Sequence, residues 1–254
     1  MLVGFIHGVL NTDNTSIAGE TIDYGPCAFM DAYHPDKVFS SIDHNGRYAF
    51  SNQPGIIKWN LARMAECLLP LIGDGGERAV EAANASLARF DTQFEEAYAT
   101  GMRRKLGLVT ARESDAALAD DLLQRMTAGQ ADFTLTFRRL SDAAVSESGN
   151  LAMRELFADP TSYDEWAVRW RTRLAGEQTD AEAQHATMRA ANPLFVPRNH
   201  RIEAAIVEAE ESRYERFHEL NEVLARPYED QPGFTDYTEP PHPHEEVRQT
   251  FCGT

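Results

Sequence analysis

Residues 7–26 read HGVLNTDNTSIAGETIDYGP, and the chemistry of the chain is concentrated in this stretch. Asp13, Asn14 and Asp23 lie within eleven residues of one another. Their carboxylate and amide oxygens are hard ligands, the kind that Mg²⁺ or Mn²⁺ takes when it also contacts substrate phosphates. A carboxylate that stays off the metal can accept a proton from a hydroxyl nucleophile. The residue types indicate a metal-phosphate site, with an ordinary turn or cap as the alternative.

The surroundings of this stretch differ from the rest of the chain. Residues 3–52 are rich in Gly, Asp, Asn and His, which predicts loops and short strands, with an extended run at 21–26 and a tight turn at 43–47. From Pro54 onward the apolar residues recur with the period of a helix. The sequence therefore predicts a mainly α protein with an irregular head that contains short strands.

Six helices follow from apolar residues spaced three or four apart. The marker residues are Ile57, Leu61, Met64 and Leu68; Val80, Leu87, Phe90, Phe94, Tyr98 and Met102; Leu118, Leu122 and Met126; Tyr163, Trp166, Trp170 and Leu174; Ile202, Ile206 and Ala209; and Phe217, Leu220 and Leu224. Residues 133–140 fit a short helix or a strand, and we favour a helix. Beyond Arg226 the chain has five prolines in eighteen residues, which predicts a surface-hugging or mobile tail.

Composition excludes several classes of partner. The 254 residues include 24 basic and 40 acidic side chains, for a formal net charge of −16, so a surface for nucleic acid or anionic membranes is not expected. The apolar start is too short for a membrane span and lacks the features of a signal peptide. Three scattered cysteines, without metal-ligand spacing, favour a reducing cytoplasm over a disulfide framework.

The wider string of motifs resembles the selenoprotein O family, which includes the bacterial YdiU-type proteins. Beyond residues 7–26, the likeness extends through Asp43-His44, Gly46-Arg47-Tyr48, Phe50, Asn52-Gln53-Pro54, Trp59-Asn60-Leu61, Phe137-Arg138-Arg139-Leu140, Asn192-Pro193, Arg198-Asn199 and 250–254. The resemblance implies a protein-kinase-like fold and a protein adenylyltransferase, which moves AMP from ATP onto Ser, Thr or Tyr hydroxyls of target proteins.

The resemblance also assigns roles within the stretch. It implies that Asp13 is the general base, that Asn14 and Asp23 hold Mg²⁺ or Mn²⁺, and that Asp23 thereby contacts the bound ATP. Asp23-Tyr24-Gly25 would stand where protein kinases have the DFG triplet. The metal-binding Asn directly follows the base here, unlike in kinases, so the roles depend on the family pattern and not on the kinase signature.

The same resemblance implies that the small nucleotide-binding lobe is absent, because Met1 lies a few residues before the catalytic loop and no GxGxxG or GxxxxGK pattern occurs. We expect a catalytic-loop and metal-binding segment at 1–53, a helical body at 54–226 and a proline-rich tail with a terminal Cys at 227–254. Such a chain is expected to be inactive alone. The alternative is a non-catalytic helical interaction module, and chemistry alone also allows a metal phosphohydrolase.

Other side chains have a functional and a structural interpretation. His7 either contacts a phosphate or organises its loop, Asp43 and His44 form either an acid/base pair or a solvated turn, and Arg138 and Arg139 bind either a phosphate or a carboxylate. The structural interpretation is favoured for His7 and the arginines. Trp166 and Trp170 are expected to pack in the core.

The resemblance raises a redox question at the carboxy terminus. Some members of the family link a terminal cysteine to one near the active site. Cys252 is the terminal cysteine here, but the aligned partner position is Phe39, which leaves Cys27 as a substitute partner or Cys252 as a free thiol.

Overall fold

Helices form most of the computed structural model, which describes residues 1–21, 28–73 and 75–251. This confirms the expectation of a mainly α chain. In these ranges the α-helices are α1 (Gln53–Leu68), α2 (Gly76–Lys105), α3 (Ser114–Gly129), α4 (Phe133–Ala143), α5 (Glu147–Arg154), α6 (Pro160–Leu174), α7 (Ala181–Ala191), α8 (Asn199–Glu210) and α9 (Glu215–Leu224). Two short strands, β1 (Phe5–Ile6) and β2 (Ala28–Phe29), pair antiparallel near the amino terminus.

Side-chain caps fix where several helices begin. Asp132 accepts a hydrogen bond from the backbone N–H of Leu135 at 2.8 Å and starts α4. Asp159 caps α6, where Pro160 occupies the first turn and has no N–H to leave unsatisfied. Residues 133–140 are thus a helix, as favoured from the sequence, because the cap precedes apolar residues that share one buried face.

Two helices, α5 and α7, are absent from the sequence-based prediction. Each is short and has few large apolar residues, so the helical period is weak. Each does carry a cap, since Ser146 accepts from the N–H of Gly149 at 3.0 Å and Asp180 accepts from that of Ala183 at 2.9 Å. The caps, rather than hydrophobic spacing, were the available signal.

The centre of the core contains two tryptophans on α6. Trp166 and Trp170 are fully buried and stack with their ring centroids 5.5 Å apart. Each indole N–H donates to a backbone carbonyl, Trp166 to Leu118 at 2.8 Å and Trp170 to Leu106 at 2.9 Å. The expectation of core packing is confirmed, and the two bonds attach α6 to α3 and to the end of α2.

Helix α1 buries polar side chains rather than its apolar stripe. Met64 and Leu68 are 40% and 39% exposed, whereas Gln53 and Asn60 are 6% and 4% exposed. The helix itself is confirmed, but the stripe that predicts it does not mark its most buried face. The two buried amides instead face the amino-terminal loop.

The segment after α9 lies along the surface and is tied to the rest of the chain. A 3₁₀ helix spans Pro232–Thr238, which the proline pattern did not predict. Farther on, the N–H of Thr250 donates to Phe39 at 2.7 Å, and Thr250 accepts from Ser41 at 3.0 Å. These two hydrogen bonds join the described end of the tail to residues 39–41.

Two further observations concern cysteines and membranes. Cys67 is exposed and free, while Cys27 and Cys252 lie outside the described residues, so their pairing stays a prediction. In the part of the chain that the structure describes, no helix has the length and apolar character that a membrane span requires.

Candidate active site

The candidate loop connects the two strands. Phe5 pairs with Phe29 and Ile6 with Ala28, and the N–H of Met30 donates to Gly4 at 2.9 Å. Ile6 and Met30 are fully buried, so the strand pair is anchored in the core. The chain therefore leaves the core after Ile6 and is back in it at Ala28, and these two points are adjacent.

Two side-chain amides of α1 form hydrogen bonds with the first part of this loop. Gln53 Oε1 accepts from the N–H of His7 at 3.0 Å, and Gln53 Nε2 donates to the carbonyl of Phe5 at 3.0 Å. Two helical turns farther along, Asn60 Nδ2 donates to the Leu10 carbonyl at 3.2 Å and to Thr15 Oγ1 at 2.8 Å. Residues seven apart share one face of a helix, so one face of α1 contacts the loop near His7 and again near Leu10 and Thr15.

The start of α8 holds the other strand. Asn199 Nδ2 donates to the carbonyl of Phe29 at 3.2 Å. Arg198 is 1% exposed, and its guanidinium donates to Asp31 at 2.5 Å, to Asp132 at 2.8 Å and to the Thr238 carbonyl at 3.0 Å. Burial raises the pKa of Asp31, although the charge of Arg198 opposes this. This cluster joins β2, the cap of α4 and the tail.

Asp13 and Asn14 are exposed and lie between Leu10 and Thr15, the two residues that Asn60 contacts. They belong to a single 3₁₀ turn, Thr12–Asn14, with no buried side chain. Asn14 Nδ2 donates to the Val9 carbonyl at 3.0 Å, and Thr15 Oγ1 donates to Asn11 at 2.8 Å. Within the described ranges no hydrogen bond engages Asn14 Oδ1, so its carbonyl oxygen is the side available to a cation.

The second predicted metal ligand cannot be placed beside the first. Asp23 lies outside the described residues, as does Tyr24. Among residues 1–21, 28–73 and 75–251, no group of three or more His, Cys, Asp or Glu side chains is arranged to hold a metal ion. The donor chemistry of Asn14, an outward hard oxygen on a hydrogen-bonded turn, nevertheless fits Mg²⁺ or Mn²⁺.

Two other candidate sites have structural roles. Asp43 accepts from the N–H groups of Arg47 and Tyr48, both at 2.8 Å, which is the contact pattern of a solvated turn. Arg138 is 3% exposed, donates to Asp230 at 2.9 Å and also donates to the carbonyls of Asn192 and Tyr228. The predicted ion pair is confirmed for Arg138, while Arg139 donates to the carbonyl of Ala152 at 3.0 Å.

Sequence reasoning did not assign roles to Gln53, Asn60, Arg198 and Asn199. All four occur in the motifs that carry the family resemblance, yet a hydrophobic pattern says nothing about a buried amide. The predicted helix began at Pro54 and left out Gln53, which the structure includes in α1, seven residues before Asn60. His7 contributes its backbone N–H to this arrangement, in accord with a loop-organising role.

The chain was compared with known protein families and proteins. A family model described as protein adenylyltransferase SelO matches residues 1–225. The chain is 66% identical over its whole length to the protein nucleotidyltransferase YdiU of Nitrobacter hamburgensis, 65% to that of Nitrobacter winogradskyi and 62% to that of Bradyrhizobium sp. (strain ORS 278). It covers 50%, 50% and 52% of these proteins, so the chain spans about half the length of the curated relatives it matches.

The resemblance inferred from the motifs is thereby confirmed. The matched residues include the whole loop between β1 and β2 and the amides of α1 and α8 that support it. By the extent of this match, the chain belongs to the SelO family of protein adenylyltransferases.

Proposed function

We propose that this chain is the catalytic-loop half, the large lobe of a protein-kinase-like fold, of a protein nucleotidyltransferase, and that the complete enzyme moves AMP from ATP to Ser, Thr or Tyr hydroxyls. The observation that carries the proposal is the exposed Asp13–Asn14 turn, in a loop that hydrogen-bonds to Gln53 and Asn60. An exposed carboxylate on a fixed turn suits a general base, because a base must meet its proton at hydrogen-bond distance.

In the proposed reaction, the hydroxyl oxygen of the protein substrate attacks the α-phosphate of ATP. Asp13 takes the hydroxyl proton as the new oxygen–phosphorus bond forms. The bond between the α-phosphorus and the oxygen that bridges to the β-phosphate breaks, and pyrophosphate leaves. Asp13 acts on the attacking oxygen alone, so its loss should lower transfer without lowering the affinity for ATP.

Asn14 and Asp23 are the proposed ligands of Mg²⁺ or Mn²⁺. The bound cation would supply positive charge that offsets the charge of the phosphates. The bond from Asn14 Nδ2 to Val9 supports this role, because it fixes the amide with Oδ1 directed away from that bond.

The proposed organisation keeps 1–53 as the catalytic-loop and metal-binding segment, 54–226 as a helical body and 227–254 as a tail. Its partners are ATP and hydroxyl-bearing proteins, and a net charge of −16 gives no support to nucleic acid or anionic membranes. We expect transfer to need the half of the relatives that this chain does not match. Misplacement of reacting groups by about 1 Å can cost around a hundredfold in rate, so the nucleotide must be held as well as the base.

The test is incorporation of radiolabel from [α-³²P]ATP into protein. The chain is assayed alone and joined to the other half of the Nitrobacter hamburgensis relative, with Mg²⁺ or Mn²⁺. We expect labelling by the joined protein only. Asp13→Asn should reduce it by about a hundredfold or more while ATP binding persists, and Asp23→Asn should also weaken metal-dependent ATP binding. Asp236→Asn, which removes an exposed carboxylate from the tail, is the control and should retain full activity.

Three outcomes contradict the proposal. Equal labelling by the joined protein and its Asp13→Asn variant would remove Asp13 as the base. No labelling by a folded, ATP-binding joined protein would favour the non-catalytic interaction module. Release of free phosphate without labelled protein would favour the phosphohydrolase.

A further inference from the structure

Two arginines lie over one exposed indole beside the candidate loop. The guanidinium carbon of Arg47 is 4.7 Å from the ring centroid of Trp59, and that of Arg63 is 5.3 Å from it. Trp59 is 39% exposed, whereas Trp166 and Trp170 are fully buried. An exposed tryptophan that contacts two cations is not explained by core packing.

The turn before α1 is built so that Arg47 reaches this indole. Both oxygens of Asp43 accept backbone N–H groups, from Arg47 and from Tyr48, at 2.8 Å. Gly46 takes a φ of +66°, which favours glycine, and its carbonyl accepts from Asn52 Nδ2 at 2.7 Å. These hydrogen bonds hold the backbone of the turn without the side chain of Arg47. Trp59 and Arg63 are one helical turn apart on α1 and lie on one side of that helix.

Within the described part of the chain, the contacts of the Arg47 guanidinium are with aromatic rings. No carboxylate there forms an ion pair with Arg47, because Asp43 accepts from backbone N–H groups instead. Arg63 pairs with Glu66 at 2.8 Å, and both side chains are about half exposed, so this pair exchanges readily with solvent. Contact with an indole occupies the face of a guanidinium and leaves its N–H edge to bind an anion.

The location of this pair relates it to the catalytic loop. Trp59 directly precedes Asn60, which donates to Leu10 and Thr15 of the loop. Successive residues of a helix point about 100° apart, so Trp59 lies on the side of α1 next to the side that holds the loop. The residues next to a modified hydroxyl are expected to pass along this side of α1.

We propose that Arg47, Trp59 and Arg63 bind acidic side chains of the protein substrate close to the hydroxyl that is modified. This rests on the proposed function and adds to it a substrate class, hydroxyl residues with nearby Glu or Asp. In a chain of net charge −16, an acidic segment is repelled by most of the surface, so a local cationic site restricts where it docks. The guanidinium forks match carboxylates in geometry, and the indole packs against the side-chain methylenes that carry them.

Binding by the purified 254-residue chain tests the site without any requirement for transfer. A peptide with one Ser and four flanking Glu residues, labelled with an uncharged dye, is titrated by fluorescence anisotropy, with the same peptide carrying Gln as its match. We expect the Glu peptide to bind more tightly and to change the emission of Trp59. Arg47→Gln and Arg63→Gln should each weaken it about threefold or more, and the double variant should remove the difference between the peptides. Arg213→Gln, which removes an exposed arginine paired with Glu211, should leave binding unchanged.

Other results would overturn the proposal. Equal affinity for the Glu and Gln peptides, or an unchanged affinity in Arg47→Gln with the fold verified by circular dichroism, would remove the site. Binding of ATP or tripolyphosphate that depends on Arg47, with no binding of the Glu peptide, would assign these arginines to the nucleotide. If the peptide binds through Arg47 but the joined protein shows no labelling that depends on Asp13, the proposed function is rejected and the binding site is retained.

Discussion

The side-chain amide nitrogen of Asn60 lies 3.2 Å from the carbonyl oxygen of Leu10. The donor is on a helix and the acceptor is on the candidate catalytic loop, fifty residues earlier in the chain. Asn60 is buried, so no solvent is available to replace this bond if the amide is removed. The conformation of the loop that carries Asp13 therefore depends on a side chain that takes no part in the proposed chemistry.

Asn60→Leu tests this dependence. The leucine retains volume but leaves the Leu10 carbonyl without its donor, which should lower the free energy of unfolding by about 1–3 kcal/mol. Amide hydrogen exchange in residues 8–15 should speed up, measured by mass spectrometry, with urea unfolding as the second measurement. Asn221→Leu is the control, because that exposed amide donates to a carbonyl of its own helix. Unchanged exchange in the loop would show that α1 does not hold it.

The Arg198 cluster is expected to be a major source of stability. Arg198→Met leaves Asp31 and Asp132 without their shared buried cation, and breaking a buried pair from one side costs about 3–5 kcal/mol. The exposed pair of Arg213 with Glu211 offers a matched comparison, and Arg213→Met should cost less than about 1 kcal/mol. Urea unfolding of both variants measures the difference. Similar costs at the two positions would contradict the importance given to the cluster.

The helices could be predicted from the sequence where apolar spacing and burial coincide. Leu118, Leu122 and Met126 of α3 are such a case, because all three are buried. The same rule locates α1 but misjudges its buried face, since amides that bind a loop bury as deeply as leucines do. Spacing detects a helix, but it cannot tell which partner covers each side.

The candidate site could be predicted only in part, and for a physical reason. Asp13 and Asn14 are recognisable as an oxygen-rich pair within eleven residues of Asp23, since their chemistry is local in sequence. Gln53 and Asn199 act across 46 and 170 residues, and single-chain spacing contains no information about such contacts. Only the family motifs pointed to them, without saying what they do.

Lys105 should make stability depend on pH. Lys105 is 2% exposed, and its ammonium lies 4.2 Å from the ring centroid of Phe137. Burial lowers its pKa from 10.5 to about 7. Between pH 7 and about 10.5 the unfolded chain binds a proton that the folded chain does not, so the contribution of this group to the free energy of unfolding rises with pH.

Lys105→Met isolates that contribution. The methionine should stabilise the fold most below pH 7, where the wild-type chain must bury a charge. This advantage should shrink by about 2 to 3 kcal/mol between pH 6 and pH 9, as the wild-type lysine loses its proton in the folded state. Urea unfolding at both pH values measures it, with Lys58→Met at an exposed ion pair as the control. A difference that is independent of pH would show that Lys105 keeps its ordinary pKa.

Two glycines should respond in opposite directions to the same substitution. A Cβ at Gly149 of α5 would lie 2.4 Å from the carbonyl carbon of Asp142 and 2.7 Å from the nitrogen of Ala143, at the end of α4. These are backbone atoms, so Gly149→Ala must separate the two helices and should lower the free energy of unfolding by about 1–3 kcal/mol or more. At Gly55, in the first turn of α1, a Cβ meets nothing within 4 Å, and Gly55→Ala should raise it by about 0.5–1 kcal/mol, because alanine has less backbone freedom to lose. Urea unfolding at one pH measures both variants. Stabilisation by both alanines would mean that α4 and α5 are not in backbone contact at Gly149.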